Sequence, residues 1–124
     1  MRDKPPLVTL GIPSYNSDVF LKWTLQSFAR QSLADFECIV VDDCSTDGSA
    51  RYFHEVVGKD PRFQLITHKM NCGLAAARNI ALRAARGTFT AFLDSDDLIM
   101  PDSLETRLAT CQWAQRQSDR YVGA

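Results

Sequence analysis

A regular alternation of short apolar runs and amphipathic segments constrains the fold of this chain most strongly. Four short apolar runs, each followed by polar or turn-forming residues, are typical of strands, at residues 7–12, 38–41, 63–67 and 88–93. The intervening segments carry apolar side chains at helical spacing, at residues 17–31, 48–57 and 74–86. This alternation predicts right-handed crossovers, and therefore an α/β fold with a mostly parallel sheet flanked by helices.

Turn-forming residues predict where several elements begin and end. We expect Pro13 to stop the first strand and Ser17 to cap the first helix. Gly58 and Gly87 should follow the second and third helices. A stripe of mostly small side chains should let the third helix lie close to the sheet, and it consists of Leu74, Ala77, Ala81 and Ala84.

The last part of the chain predicts one more helix and the beginning of another strand. Pro101 suits the first position of a helix. That helix would carry the apolar residues Leu104, Leu108 and Cys111. Tyr121 and Val122 are typical of a further strand that is only beginning where the sequence stops.

Length and charge exclude several classes of protein. The 124 residues suffice for one domain with a single core. Lys and Arg number 14 against 15 for Asp and Glu, a balance that argues against a nucleic-acid partner, which requires a surplus of cations. No uncharged apolar run approaches the roughly 18 residues of a membrane span, and the start lacks the apolar stretch of a signal peptide. We therefore expect a cytoplasmic chain without a membrane span.

The cysteines and histidines do not form a recognisable metal motif. The four cysteines contain no CxxC pair, and the chain has only two histidines, His54 and His68. Neither a zinc site nor a disulfide framework is therefore predicted. Isolated thiols of this kind are usually small core residues.

Six of the 15 acidic residues form two clusters, each directly after a predicted strand: Asp42, Asp43 and Asp47, then Asp94, Asp96 and Asp97. The carboxyl ends of parallel strands meet at one edge of the sheet, where ligands bind in such folds. Neighbouring carboxylates repel, and a bound cation relieves that repulsion. Mg²⁺ and Mn²⁺ prefer oxygen ligands and bind diphosphates. Residues 94–97 are therefore a candidate metal site, whereas the acids near Asp47 can equally cap the next helix.

Polar and aromatic residues beside the strand ends add candidate ligand contacts. Tyr15 could stack on a nucleobase or simply pack over the end of its strand. Gly73 opens the third helix, and a helix N-terminus with a glycine suits close approach of a phosphate. Arg78 could reach a phosphate, or it could form a structural ion pair with an Asp.

Four motifs occur in the order and spacing of the family 2 glycosyltransferases of the GT-A fold, and the chain resembles that family over essentially its whole length. The motifs are PSYN at residues 13–16, IVVDDCSTDGS at 39–49, NxGx₄RN at 71–79 and FLDSDD at 92–97. The resemblance implies a Rossmann-like sheet, a nucleotide-diphospho-sugar donor (usually UDP-linked) and Mn²⁺ or Mg²⁺. The implied reaction is inverting transfer of the sugar to an acceptor hydroxyl, as in a hexosyltransferase.

The same resemblance implies roles for individual residues. Pro13 and Tyr15 would line the base pocket, and Asp43 would read the base. Asp94 and Asp96 match the DxD motif, which holds the ribose and the metal-bound diphosphate, and Asp97 adjoins them. The expected nucleotide-sugar contacts are Pro13, Tyr15, Asn16, Asp43, Arg78, Asp94 and Asp96, and the expected metal ligands are Asp94, Asp96 and Asp97.

The chain is much shorter than the enzymes that it resembles, whose acceptor pocket and general base come from a second half. Residues 98–124 offer no credible base, so we assign no catalytic residue. We therefore expect residues 1–124 to be the donor-binding half of a longer enzyme, apparently truncated and inactive alone. A sheet cut at this point should expose an edge and favour self-association. Membrane association of a full-length protein stays open.

Three functions are compatible with these residues. The first is the donor domain of a glycosyltransferase for polysaccharide or glycoconjugate biosynthesis, whose acceptor could be a saccharide, a lipid carrier or a protein. The second is a module that binds a nucleotide or nucleotide sugar without turnover. The third is another α/β enzyme with an acidic metal site, such as a phosphatase or a nucleotidyltransferase.

Overall fold

The computed structural model describes residues 4–70, 72–95, 101, 102, 104–110 and 112. Within this part of the chain, strands and helices alternate as β1 (Val8–Ser14), α1 (Asp18–Ala29), β2 (Phe36–Asp42), α2 (Ser49–Val57), β3 (Phe63–Thr67), α3 (Leu74–Ala84) and β4 (Phe89–Phe92). The strands pair in parallel in the order β3-β2-β1-β4. The predicted α/β fold with a parallel sheet between helices is therefore confirmed.

The sheet is covered on both faces, as the apolar sequence of β2 predicts. Cys38 and Val40 belong to the larger core cluster, which also contains the buried side chains of α1 and α2. Ile39 and Val41 point the opposite way and pack with α3. All four side chains are fully buried, which is typical of a central strand in a parallel sheet.

Small side chains let α3 lie close to the sheet. Ala77 and Ala81 are each only 1% exposed. A Cβ atom added at Gly11 of β1 would lie 2.7 Å from Phe92 and 3.1 Å from Ala81, so the glycine is required by this close approach. The predicted stripe is confirmed for Ala77 and Ala81, and Ala84 packs partly buried against the same cluster, but the prediction is wrong for Leu74, which is 53% exposed at the start of the helix.

The first strand continues through Pro13, which was expected to stop it. The carbonyl of Gly11 accepts a hydrogen bond from the N–H of Leu93 on the β4 side. Pro13 lies two residues further along β1, so its nitrogen faces the same side of the strand as the carbonyl of Gly11. The neighbouring strand β4 has already ended there, at Phe92. No hydrogen bond is lost there, because β1 at that point pairs only with β2.

Helix boundaries differ from the predictions by a few residues. The hydroxyl of Ser17 does not cap α1. The first helix ends at Ala29 rather than near residue 31. The third helix ends at Ala84, and extended backbone at Ala85 replaces the predicted stop at Gly87. Gly58 does follow α2, as predicted.

Residues 104–110 are helical and dock against the end of α1. The predicted core residues Leu104 and Leu108 are buried. The side-chain carbonyl of Gln31 accepts a hydrogen bond from the N–H of Leu104 at 3.0 Å. The predictions for Cys111, Tyr121 and Val122 lie outside the described residues. Among the helices described, none is long and apolar enough to cross a membrane.

Candidate functional site

A cleft of about 170 Å³ opens at the carboxyl ends of β1 and β2, beside the first turn of α3. Its walls are formed by residues from both strand ends and from the helix: Pro13, Ser14, Tyr15, Asp43, Gly73, Leu74 and Ala77. This is the edge at which open parallel sheets bind ligands. Three of the residues that the family resemblance implied, Pro13, Tyr15 and Asp43, therefore line one cleft.

Asp43 is the buried carboxylate of this cleft, with 4% of its surface exposed. Its Oδ1 accepts a hydrogen bond from the backbone N–H of Cys72, and its Oδ2 accepts one from Gly73, both at 2.8 Å. The N–H of Cys72, with further help from Gly73 and His68, holds the pKa of Asp43 below its usual value although burial opposes this. Asp43 is therefore ionised at neutral pH and ties the end of β2 to the start of α3.

The start of α3 brings backbone amides to the cleft. Gly73 precedes the helix with φ +88°, in the left-handed region that favours glycine. No side chain caps this end of the helix. The first N–H groups of a helix have no partners within it, and they favour an anionic group. Because Gly73 and Leu74 line the cleft, this end of α3 faces it.

Asn16 joins the loop after β1 to the loop after β2. Its Oδ1 accepts a hydrogen bond from the N–H of Thr46 at 2.8 Å, and its own N–H donates to the hydroxyl of Ser45 at 2.9 Å. Asn16 adopts φ +48°, a conformation that Asn tolerates better than most residues. This bridge fixes the loop that carries Tyr15, whose side chain is half-exposed at the cleft.

The other two acids of the first cluster stabilise local turns. Asp42 is buried and accepts a hydrogen bond from the hydroxyl of Ser45. Asp47 accepts hydrogen bonds from the N–H and the hydroxyl of Ser49, at 2.9 and 2.5 Å, where α2 begins. Asp47 thus accepts the first N–H of α2 from the position before the N-cap residue, Gly48, which favours the helix-start role that the sequence left open.

The end of β4 is tied to the start of α1. Thr24 donates a hydrogen bond from its hydroxyl to the carbonyl of Ser95 at 2.9 Å. The hydroxyls of Ser17 and Ser95 also share a hydrogen bond, and Ser14 donates one to Ser17 at 3.1 Å. Asp94 precedes Ser95 and is exposed. Two hydroxyl contacts therefore connect its turn to Ser14 in the cleft wall.

The other implied residues that the structure describes, Asn16, Arg78 and Asp94, do not line the cleft. Arg78 lies on α3 and is exposed, although its neighbour Ala77 lines the cleft. Asp96 and Asp97, the other expected metal ligands, lie outside the described residues. Asp94 alone among the expected metal ligands is described, and an exposed carboxylate suits Mn²⁺ or Mg²⁺.

Sequence reasoning missed the hydroxyl contacts among Ser14, Ser17 and Ser95. Ser17 was predicted to cap a helix because it precedes one, and its pairing with Ser95 depends on β1 and β4 being neighbours. The signal in the sequence was weak, because each serine merely follows or lies near the end of a strand.

Comparison with known proteins extends these observations. Residues 9–116, more than half of the chain, match the sequence profile of Glycosyl transferase family 2. Over 103 residues the chain is 42% identical to an uncharacterized glycosyltransferase of Haemophilus influenzae, covering 83% of this chain and 41% of that relative. The chain spans less than half the length of the curated relatives it matches first.

Solved structures share the fold over part of their length. A crystal structure of S. aureus TarS 1-349 in complex with UDP-GlcNAc superposes with a TM-score of 0.79 at 32% identity, covering 86% of this chain and 31% of that one. Mannosyltransferase PcManGT from Pyrobaculum calidifontis, in complex with GDP-Man and Mn²⁺, gives a TM-score of 0.76 at 28% identity and covers 90% and 33% of the two chains. The predicted GT-A fold is therefore confirmed.

Proposed function

Because this chain belongs to glycosyl transferase family 2, we propose that it binds the donor of an inverting, metal-dependent sugar transfer from a UDP-sugar to an acceptor hydroxyl. The observation that carries the proposal is the cleft at the ends of β1 and β2, with the buried carboxylate of Asp43 in its wall. At about 170 Å³ the cleft is smaller than the roughly 300–1,000 Å³ that enclose a whole drug-sized ligand. It suits one part of a nucleotide sugar, and we assign it the base.

The chemistry of Asp43 supports recognition of a uracil. An ionised carboxylate only accepts hydrogen bonds, and its two oxygens offer about four lone-pair sites. Backbone amides occupy one site on each oxygen, so each oxygen retains capacity for another donor. Uracil presents a single ring N–H donor, which lies between two carbonyls. Asp43 would accept a hydrogen bond from this N–H. Guanine also presents donors at its edge, so the base preference requires a direct test.

Aromatic stacking would complete the base subsite. The ring of Tyr15 is half-exposed at the cleft, and Pro13 contributes an apolar wall. A base stacked on an aromatic ring gains about 1–3 kcal/mol in other nucleotide sites. The donor would then extend from this subsite toward the turn after β4.

The diphosphate would lie between the start of α3 and the turn after β4. The N–H of Gly73 already donates to Asp43, so the first turn of α3 from Leu74 onward is the part that favours an anion there. We assign Mn²⁺ or Mg²⁺ to Asp94 together with Asp96 and Asp97, whose oxygens suit such ions. When bound, the cation would neutralise the charge that develops on the departing diphosphate. In the mannosyltransferase PcManGT the nucleotide sugar is accompanied by Mn²⁺.

Sugar transfer also requires a base that takes the proton of the acceptor hydroxyl as that oxygen bonds to the sugar. We assign no residue of this chain to that role. Alone, the chain would therefore bind the donor without transferring its sugar. The alternative function, a non-catalytic module that binds a nucleotide sugar, would give the same result. The acceptor, the cytoplasmic location and the self-association of the chain stay predictions.

Isothermal titration calorimetry tests the proposal directly. UDP is titrated into the protein once with Mn²⁺ and once with EDTA, and GDP is titrated under the same conditions. We expect UDP to bind with Mn²⁺, and binding to weaken with EDTA. No heat from UDP with a cooperatively folded protein would overturn the proposal, whereas heat from GDP alone would correct the base.

Two variants separate the subsites within the same experiment. Asp96→Ala should weaken binding of UDP only when Mn²⁺ is present, because it removes a proposed metal ligand. Tyr15→Ala should weaken binding with or without Mn²⁺, and Tyr15→Phe should retain it because the ring remains. Equal UDP affinity of the Asp96→Ala variant and the unmodified protein in Mn²⁺ would remove the metal assignment.

A further inference from the structure

Asp43, His68 and Cys72 lie together beside the cleft although the sequence separates them. His68 directly follows β3 and Asp43 directly follows β2, so the pairing of these strands brings the two side chains to neighbouring positions. Cys72 joins them because Asp43 accepts its backbone N–H. The imidazole nitrogen, the thiol sulfur and a carboxylate oxygen all lie within 4.8 Å of one another.

The imidazole of His68 has a buried nitrogen with no hydrogen-bond partner. Its Nδ1 is inaccessible to solvent, and no described residue donates to it or accepts from it. Oδ1 of Asp43 lies 3.6 Å from this nitrogen, too far for a hydrogen bond. A protonated imidazole forms an ion pair with Asp43 across this distance, whereas a neutral one leaves the buried nitrogen without a partner, and a cation between the two residues would remove that cost.

The spacing of these atoms fits a tetrahedral zinc ion. Zinc bonds of about 2.0–2.2 Å to nitrogen and oxygen, at a tetrahedral angle, separate these two atoms by about 3.3–3.5 Å. Nδ1 of His68 and Oδ1 of Asp43 are 3.6 Å apart, so a shift of about 0.1 Å would bring them into this range. The sulfur of the exposed Cys72 lies within 4.8 Å of the other two ligand atoms, and a small movement of that side chain would complete the ligand set.

The existing contacts of Asp43 permit an ion as well. Each oxygen already accepts one backbone N–H and retains a second lone-pair site. An ion could therefore bind without releasing the segment that begins α3. A second cleft of about 170 Å³, lined by His68, Lys69, Met70 and Cys72, opens this group to solvent.

We propose that Asp43, His68 and Cys72 form a zinc site distinct from the acidic cluster after β4. His68 contributes Nδ1 with its proton on Nε2, and Cys72 contributes its sulfur as a thiolate, releasing one proton to solvent. Three protein ligands leave a fourth position for water. Thiolate and imidazole select zinc over Mg²⁺, which prefers oxygen. Asp43 also belongs to the proposed base subsite, so the two proposals share one residue, but the test of the zinc site uses metal alone and no nucleotide.

Metal titrations of the untagged, reduced protein test the site. Zn²⁺ is titrated in competition with a chromophoric chelator, and Co²⁺ is titrated as a spectroscopic substitute. We expect one equivalent of Zn²⁺ and a thiolate-to-Co²⁺ charge-transfer band. Loss of an outer-shell partner alone weakens metal affinity about 10–100-fold, so Cys72→Ser and His68→Gln should each weaken Zn²⁺ binding by at least about tenfold. Cys72→Ser should also abolish the band.

Matched variants provide the controls. Cys44 lies next to Asp43 in sequence but its thiol donates to the carbonyl of Lys69, and His54 is exposed on α2. Cys44→Ser and His54→Gln should therefore leave the affinity and the cobalt band unchanged. The proposal is overturned if no Zn²⁺ binds, if Cys72→Ser binds it as the unmodified protein does, or if Mg²⁺ displaces it. Circular dichroism confirms that each variant is folded.

Discussion

The two acidic clusters at the carboxyl edge of the sheet are used differently. In the first cluster, Asp43 accepts hydrogen bonds from the start of α3, and Asp42 and Asp47 accept them within their own turns. Asp42 and Asp43 are buried. In the second cluster, Asp94 is exposed, and its turn is held by contacts of the adjacent Ser95.

This contrast shows that position after a strand does not determine what a carboxylate does. The buried Asp43 holds a separate loop through backbone donors, and the exposed Asp47 bonds to the start of α2, so burial alone does not distinguish the roles either. In the proposed function Asp43 has two roles, because it holds the start of α3 and lines the cleft. Its removal should therefore affect both folding and binding, whereas removal of the exposed Asp94 should affect binding more than stability.

The largest expected effect is that of Asp43→Ala. We expect this substitution to lower the free energy of unfolding by about 3 kcal/mol, because hydrogen bonds to a charged group contribute about 1.5–3 kcal/mol each and two are lost. Urea denaturation at neutral pH measures the difference. Asp94→Ala is the comparison, and because Asp94 is exposed its substitution should cost about 1 kcal/mol or less, as for a single surface contact. Equal stability of the Asp43→Ala variant and the unmodified protein would contradict the organising role.

Low pH should remove part of the stability that Asp43 contributes to the fold. The pKa of Asp43 is lower in the folded chain than in the unfolded chain, where it is about 3.9. Its ionised form therefore stabilises the fold fully above the unfolded pKa, and this contribution is lost as the pH falls through the folded pKa. We expect the stability difference between the unmodified protein and Asp43→Ala to be smaller near pH 3 than at pH 7. Denaturation curves at both values measure it, and a difference that grows in acid would contradict the assignment.

Local patterns predicted the elements of the fold well. The third strand was predicted with its observed bounds, Phe63–Thr67, because a short apolar run between polar turns carries its own signal. The ends that depend on neighbouring elements were less predictable. Pro13 remains in β1 because β4 ends earlier, and nothing in the sequence near Pro13 reports the length of β4.

The position of candidate residues was predictable where they follow a strand end, and not where two distant segments meet. Pro13, Tyr15 and Asp43, which the family resemblance implied for the base pocket, line one cleft, and their roles stay predictions. The group of Asp43, His68 and Cys72 was missed, because the sequence contains no metal motif and the contact depends on the pairing of β2 with β3. The spacing of residues along the chain therefore does not reveal every group of side chains that meets at one edge of the sheet.

The next effect in size is that of Asp94→Ala on binding. This substitution should weaken Mn²⁺-dependent binding of UDP by at least about tenfold, which corresponds to about 1.4 kcal/mol. The physical reason is the loss of one carboxylate from the proposed cation site. Calorimetry with Mn²⁺ and with EDTA measures this effect, and the two affinities should differ less for the variant than for the unmodified protein. A loss of affinity that is the same in EDTA would show that Asp94 acts without a metal.

The smallest expected effect is that of Asp47→Ala, which tests whether the first cluster has purely structural members. Asp47 accepts two hydrogen bonds from Ser49 at the start of α2 and does not line the cleft. Loss of such a cap typically costs about 1 kcal/mol, so the midpoint of urea denaturation should fall while the affinity for UDP stays unchanged. Asp47→Asn keeps an oxygen acceptor at the same position and should restore most of the stability. If Asp47→Ala instead weakened UDP binding at unchanged stability, the first cluster would take part in binding beyond Asp43, and the hydrogen bonds to Ser49 would not account for the role of Asp47.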